Sequence, residues 1–309
     1  MEKNGRIVAR VEYAIARMAI DSIAWLPPAA GDAFARFWTA LAYWVVPSFR
    51  EVGLRNLEIA FPEHSLAERE AILRSALRNL SRVLATSARM FRMSPAEIRD
   101  MVVYESTPRF AEAYQKSIDE GRGRIMVSAH LGNWELHASI YPLVFEPFAF
   151  LARRMDNPLI DDFVTDMRTR SGNSQIDKEN SARVILSILR KGGVVGVLAD
   201  VNSHPKEGVF VPFFGVDACT ASGVAMLAMR ANAVIVPMWT VWDAEIGKYR
   251  VIVDEIIEPV KTTDRQSDIV ATTALHVAAT ERIIRRFPDQ WIWVHRRWKT
   301  RPPGEPSLY

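Results

Sequence analysis

The stretch Ser128-Ala129-His130-Leu131-Gly132-Asn133-Trp134-Glu135, entered from the apolar run Ile125-Met126-Val127, decides how the rest of the chain is read. The run is strand-like. Gly132 permits a tight turn, and Asn133 is a helix-capping residue type placed just before Trp134-Glu135-Leu136-His137. Strand, turn and helix in that order put His130 at the carboxyl end of a strand, where open α/β sheets hold ligands and chemistry. An imidazole backed by a carboxylate is a general base held in one tautomer, the arrangement that activates a hydroxyl. On these grounds alone, a working His130–Glu135 pair and a satisfied structural histidine are equally supported. The same spacing recurs at His276 and Glu281 inside a helical pattern over 269–286. Residues five apart on a helix point about 140° away from each other, so His276 reads as an ordinary helix residue.

Outward from this stretch, apolar runs at 124–129, 147–152, 194–200, 233–241 and 249–256 alternate with helical patterns at 134–141, 161–170, 181–191 and 221–232. The alternation predicts a layered α/β domain with a mostly parallel central sheet over residues 101–309. Gly192-Gly193 is a helix stop placed immediately before a strand. Residues 1–100 read instead as a helical region. Patterns over 8–26 and 32–46 are separated by Pro27-Pro28, and Ser65-Leu66-Ala67-Glu68 is a capping box opening a long helix to about Phe91. That helix is expected to bury Leu73, Leu77, Leu80 and Leu84 and to carry Arg74, Arg78 and Arg82 on another face. Ser94-Pro95-Ala96-Glu97 starts a further short helix.

A chain of 309 residues, 49% apolar and 24% charged, is that of a folded protein with a large core. Net charge of only +3 gives no reason to expect a nucleic-acid partner. The single cysteine, Cys219, rules out an internal disulfide, and a small buried residue is the favoured reading of it. No secretory leader and no membrane-spanning run is read near the N-terminus. Residues 37–49 are rich in Phe37, Trp38, Tyr43, Trp44 and Phe49 and flanked by Arg36 and Arg50, which suits either a lipid headgroup region or a core helix.

Several separated blocks together resemble the bacterial lipid A biosynthesis (late) acyltransferases of the lysophospholipid acyltransferase superfamily. They are Asn56-Leu57 with Ala60-Phe61-Pro62-Glu63; His130 to Glu135; Arg153 with Asn157-Pro158-Leu159; Gly196 to Asp200 with Gly208 to Gly215 and Thr220; and Pro288 to Lys299. Arg154 stands where the family commonly has proline, and Val201 where it often has glutamine, with Asn202 following. Many relatives also begin with an apolar membrane helix, and here there is only the shorter aromatic stretch.

The resemblance implies transfer of a fatty acyl chain from acyl carrier protein, or acyl-coenzyme A, to a hydroxyl of a lipid A precursor. It also implies the cytoplasmic face of the bacterial inner membrane, with no metal or organic cofactor. His130 would be the catalytic base and Glu135 the acid orienting it. Backbone amides at Gly132 and Asn133 are the first candidates for oxyanion donors, an arginine the second. Arg153, Arg168 and Arg170 are candidates for gripping the phosphates of acceptor and donor, with Asp200 orienting one of them. Phe210, Phe213 and Phe214 are candidate walls of an acyl channel. The basic cluster of Arg285, Arg286, His295, Arg296, Arg297, Lys299 and Arg301 is a candidate dock for an acidic carrier protein or anionic headgroups. An acyltransferase acting on another glycolipid, such as a phosphatidylinositol mannoside, remains an alternative because it would share the blocks, and a thioesterase, in which water replaces the alcohol, is a second.

Overall fold

The computed structural model describes residues 3–152, 155–176 and 181–309. Five helices come first: α1 (Lys3–Trp25), α2 (Pro28–Val45), α3 (Pro47–Ala60), α4 (Leu66–Met90) and α5 (Pro95–Asp100). Strands and helices then alternate through β1 (Val102–Glu105), α6 (Pro108–Asp119), β2 (Arg124–Ser128), α7 (Trp134–Val144), β3 (Ala149–Leu151), α8 (Pro158–Thr169), β4 (Ser174–Ile176), α9 (Ser181–Arg190) and β5 (Val194–Leu198). A hairpin of β6 (Gly208–Phe213) and β7 (Val216–Ala221) follows, and α10 (Gly223–Ala231), β8 (Val234–Asp243), β9 (Lys248–Val253) and α11 (Arg265–Arg286) complete the order.

Seven strands form one sheet in the order β1-β9-β8-β2-β5-β3-β4, and only the β8–β9 pair is antiparallel. The α/β class and the mostly parallel sheet are therefore as expected. Strand β2 sits mid-sheet and is buried along its whole length, which explains why it reads as an unbroken apolar run rather than an alternation.

Several elements were not visible in the sequence. A separate helix, α3, follows α2, and Pro47 opens it at the first helical position, where the missing N–H costs nothing. Strands β1 and β4 are too short for periodicity to register, and β6 and β7 pair only with each other. On α4 the buried stripe is Leu73, Ala76, Asn79, Val83, Thr86 and Met90, while Leu84 remains exposed. A hydrophobic tally misplaces that stripe because two of its members are polar.

Those polar members tie the helices to the site. The Asn79 side-chain amide donates to the carbonyl oxygens of Gly132 (2.9 Å) and Gln290 (3.3 Å). Thr86 hydrogen-bonds the Tyr249 hydroxyl at 3.0 Å, and the Asn133 side chain donates to that hydroxyl in turn. Further out, Asn56 on α3 donates to the carbonyls of Trp293 and His295, both at 2.6 Å. Each such bond contributes about 1 kcal/mol net, and losing one partner costs more because the other is left buried and unpaired.

Gly132 makes the turn between β2 and α7. Its φ of +61° lies in the left-handed region, and a Cβ added there would sit 2.0 Å from the Thr240 carbonyl oxygen on β8. Gly132→Ala therefore adds backbone strain of about 1–2 kcal/mol to a clash with backbone that cannot step aside. The expected result is a loss of more than about 2 kcal/mol in urea unfolding, with the Asn133 cap displaced.

Candidate active site

His130 follows the end of β2 by two residues, and Asp200 follows the end of β5 by two. The strands are parallel neighbours with Ser128 opposite Leu198, and Ala199 N–H donates to the Ser128 carbonyl (3.1 Å), so the pairing carries on to bring His130 beside Asp200. The Asp200 side chain is fully buried and accepts three hydrogen bonds: from the His130 backbone N–H (2.8 Å), from His130 Nδ1 (2.9 Å) and from Trp291 Nε1 (2.8 Å). The C-terminal segment reinforces this, with Leu131 bridging Trp291 and Ile292 N–H donating to the His130 carbonyl.

Electrostatics follow from that geometry. Burial alone would raise the Asp200 carboxyl, but the His130 charge and hydrogen bond, with those from Trp291 and the His130 backbone, hold it at about 2. Burial depresses the His130 imidazolium. The Asp200 charge and hydrogen bond, helped by the charge of Glu135, outweigh that and lift it above the ordinary histidine value, against the opposing Arg168. An ionised Asp200 can only accept, so the neutral ring carries its proton on Nδ1 and leaves Nε2 as the basic nitrogen.

Glu135 is not the ring's hydrogen-bond partner. It lies in the first turn of α7, where Arg168 of α8 grips it twice, Nε to Oε2 at 3.0 Å and Nη2 to Oε1 at 2.5 Å. The expected orienting acid thus holds an arginine, and the acid expected to orient an arginine holds the histidine. The tight turn at Gly132 accounts for this: it redirects the chain into α7, whose Trp134 ring stands edge-on to His130 at 5.3 Å. The strand neighbour supplies the carboxylate instead.

The oxyanion expectation also changes. Gly132 N–H donates to the Gln290 carbonyl (3.0 Å) and Asn133 N–H to the Thr240 carbonyl (2.7 Å), so both amides are already committed. Asn133 is the cap of α7, accepting from Leu136 N–H at 3.0 Å. Among the arginines, Arg168 reaches the site. Arg170 does not: it turns outward to Asp166 and the Phe91 carbonyl. Arg153 lies outside the described residues.

Beside His130 opens a cleft of ≈ 540 Å³. Glu135, Arg168 and Trp134 line it near the histidine, and Met126, His137, Phe148, Phe150, Gly196 and Leu198 form its apolar part. Phe213 and Phe214 do not contribute. They pack in the core against Trp291, Trp293 and Trp298, and Phe210 sits on the same hairpin. The basic C-terminal cluster does not form one face either. Arg297 is 1% exposed, and its guanidinium donates to the Cys219 carbonyl and Thr220 Oγ1; Arg285 pairs with Glu281, and Arg301 with Glu305. Burial takes His295 down to about 4, so it is neutral, and its Nε2 accepts from Asn202 N–H. Arg285, Arg286, Arg296 and Lys299 are exposed. His276 is fully buried on α11, and Glu281 there accepts from Phe214 N–H and from Arg285.

A family model for bacterial lipid A biosynthesis acyltransferases matches residues 8–300. The chain is 29% identical to the lipid A biosynthesis palmitoleoyltransferase of Escherichia coli (strain K12), over 84% of its own length and 81% of the relative's. It is 30% identical to the lipid A biosynthesis lauroyltransferase of the same organism, over 82% and 80%. Identity to that organism's lipid A biosynthesis myristoyltransferase is 23%, over 94% and 88%. A match that takes in every helix and strand around His130, and the Trp291 that clamps Asp200, leaves no part of the site outside it: the chain belongs to the bacterial lipid A biosynthesis acyltransferase family.

Proposed function

We propose that the chain moves a fatty acyl group from an acyl thioester, on acyl carrier protein or coenzyme A, to a hydroxyl of a lipid A precursor, with His130 as general base. The observation that carries this reading is the His130 ring, held through Nδ1 by an anionic buried Asp200, at the mouth of a largely apolar cleft. Nε2 takes the proton as the acceptor oxygen attacks the thioester carbonyl carbon. Collapse of the tetrahedral intermediate breaks the carbon–sulfur bond, and the imidazolium returns the proton to the departing thiolate. Asp200 fixes the tautomer and stabilises the imidazolium, the part first assigned to Glu135. Glu135 holds Arg168 through its Nε and Nη2, which sets a cation at the cleft beside His130 for an anionic acceptor or for developing charge.

A membrane surface supplies the acceptor. On α1, Ile7, Val11, Ile15, Met18 and Trp25 recur at helical spacing and are all more than half exposed; on α2, Phe37, Trp38 and Trp44 are at least half exposed. Among the described residues, no helix is long and apolar enough to cross a membrane. Two helices with exposed apolar stripes suit seating in the headgroup layer, on the cytoplasmic face of the inner membrane.

The reading is tested with a labelled acyl thioester and a tetra-acylated lipid A precursor. His130→Ala is expected to abolish transfer, and Asp200→Asn to lower kcat by about 10²–10⁴, the span of positioned base catalysis and tautomer control. Because Asp200 lifts the His130 pKa while burial depresses it, the acid limb of kcat/KM should move to lower pH in Asp200→Asn. Full activity in His130→Ala would sink the mechanism; hydrolysis at equal speed without acceptor would point to a thioesterase.

Glu135→Ala and Arg168→Ala are expected to lower kcat/KM singly, and the double variant to lose little beyond the worse single, because one ion pair serves both. Strict additivity in that cycle would separate their roles. For the surface, Ile15→Glu with Trp44→Glu should shift the protein from the pellet to the supernatant in co-sedimentation with anionic vesicles, leaving thermal unfolding unchanged.

A further inference from the structure

A second apolar cavity of ≈ 120 Å³ lies under α7, lined by Val102, Tyr104, Ile140, Val144, Met238 and Val251 among others. Among the described residues, His137 is the one that lines both this cavity and the cleft beside His130. Strand order explains how the two are laid out. The cleft rests on Phe148 and Phe150 at β3, Gly196 and Leu198 on β5, and Met126 and Ser128 on β2. The second cavity rests on Met238 of β8, Val251 of β9, and Val102 and Tyr104 of β1. These six strands are consecutive in the sheet, so the two spaces follow one another across a single sheet face beneath one helix. His137 straddles the seam: its Nδ1 bonds Thr240 Oγ1 of β8 at 2.8 Å, and its Nε2 lies 3.1 Å from Met126 Sδ of β2.

We propose that the His137 ring, backed by the Met126 side chain, is the wall that ends the acyl-chain cavity, and so a determinant of which chain length is transferred. The proposal rests on the reading that the acyl chain lies in the cleft. Gly196 shows how tightly this end is built, since a Cβ there would meet Phe148 at 2.5 Å and the Met126 Cε at 2.8 Å. His137 is 2% exposed, and burial takes it down to about 4, so the ring is neutral and needs no counter-charge. A neutral imidazole with both nitrogens engaged is a rigid partition. A methylene chain that enters the cleft at His130 and runs under α7 would meet its flat edge, with an apolar space waiting beyond.

The experiment presents the full-length enzyme and lipid A precursor with separate dodecanoyl, tetradecanoyl, hexadecanoyl and octadecanoyl thioesters of acyl carrier protein. Wild type should show a cut-off in chain length. In His137→Ala the rate ratio of the first rejected chain to the longest accepted one should rise about tenfold or more, since each methylene newly buried in apolar surroundings is worth about fourfold. Refilling the outer space with Val144→Trp in the His137→Ala background should restore the original cut-off. If His137→Ala does not fold, Met126→Ala opens the same wall and is read in the same way. An unchanged chain-length profile in the folded variant overturns the proposal while leaving the acyltransferase reading intact. Absence of transfer from every thioester by wild type overturns both.

Discussion

A single buried carboxylate organises the site. Asp200 has no access to water, and its ionised form persists only because three N–H groups point at it. Two belong to one residue, His130, which it holds by backbone and ring together, so the imidazole is fixed in position as well as in tautomer. The third is Trp291, from the C-terminal segment, and that bond makes the end of the chain part of the wall behind the histidine. A buried anion deprived of one donor is costly, so each of the three depends on the others. The same segment reaches back through Gln290, whose carbonyl holds Gly132 N–H and whose side chain pairs both ways with the Trp242 backbone.

How much of this was legible in the sequence follows from the range of each interaction. The strand–turn–helix around His130 is local, and its apolar run, glycine and capping asparagine announce it. Asp200 stands at the end of a recognisable strand, yet its partnership with His130 depends on β5 lying next to β2, with Ser128 opposite Leu198. Spatial strand order differs from chain order here, because β3 and β4 come between them in sequence and lie beyond β5 in the sheet. Spacing along the chain therefore favoured Glu135, five residues away, over a carboxylate seventy residues away. Arg168 failed to stand apart from Arg170 for a similar reason. Arg168 lies in the last turn of α8 and Arg170 is its C-cap, about 200° of helical rotation apart, which sends one to Glu135 and the other to Asp166 at the surface.

Polar residues on buried helix faces were the other blind spot. Asn79 and Thr86 interrupt the apolar stripe of α4, and a hydrophobic count treats each as a defect. In the fold, Asn79 holds the carbonyls of Gly132 and Gln290, and Thr86 holds the Tyr249 hydroxyl to which the Asn133 side chain donates. His137 belongs to the same class. It sits where periodicity asks for an apolar side chain, and its ring nitrogens are engaged by Thr240 and Met126. Phe213 and Phe214 mislead in the opposite direction, since an aromatic run suggests a channel while the rings fill the core beneath the Trp-rich segment.

The exposed stripe of α1 and the cleft beside His130 are not independent. Asn157 caps α8 by accepting from Leu159 and Ile160 N–H, and its own amide donates to the Ala9 carbonyl (2.8 Å) and Glu12 (2.9 Å) of α1. Helix α8 carries Arg168, which grips Glu135 in the first turn of α7. A continuous set of hydrogen bonds thus runs from the helix with the apolar face, through a cap and an ion pair, to α7, the helix that begins two residues after Gly132. Asn157 is buried and its side chain is bonded on both sides, so moving α1 away would leave a buried amide without partners at the cap of α8. The position of α1 is thereby coupled to the Arg168–Glu135 pair at the wall of the cleft.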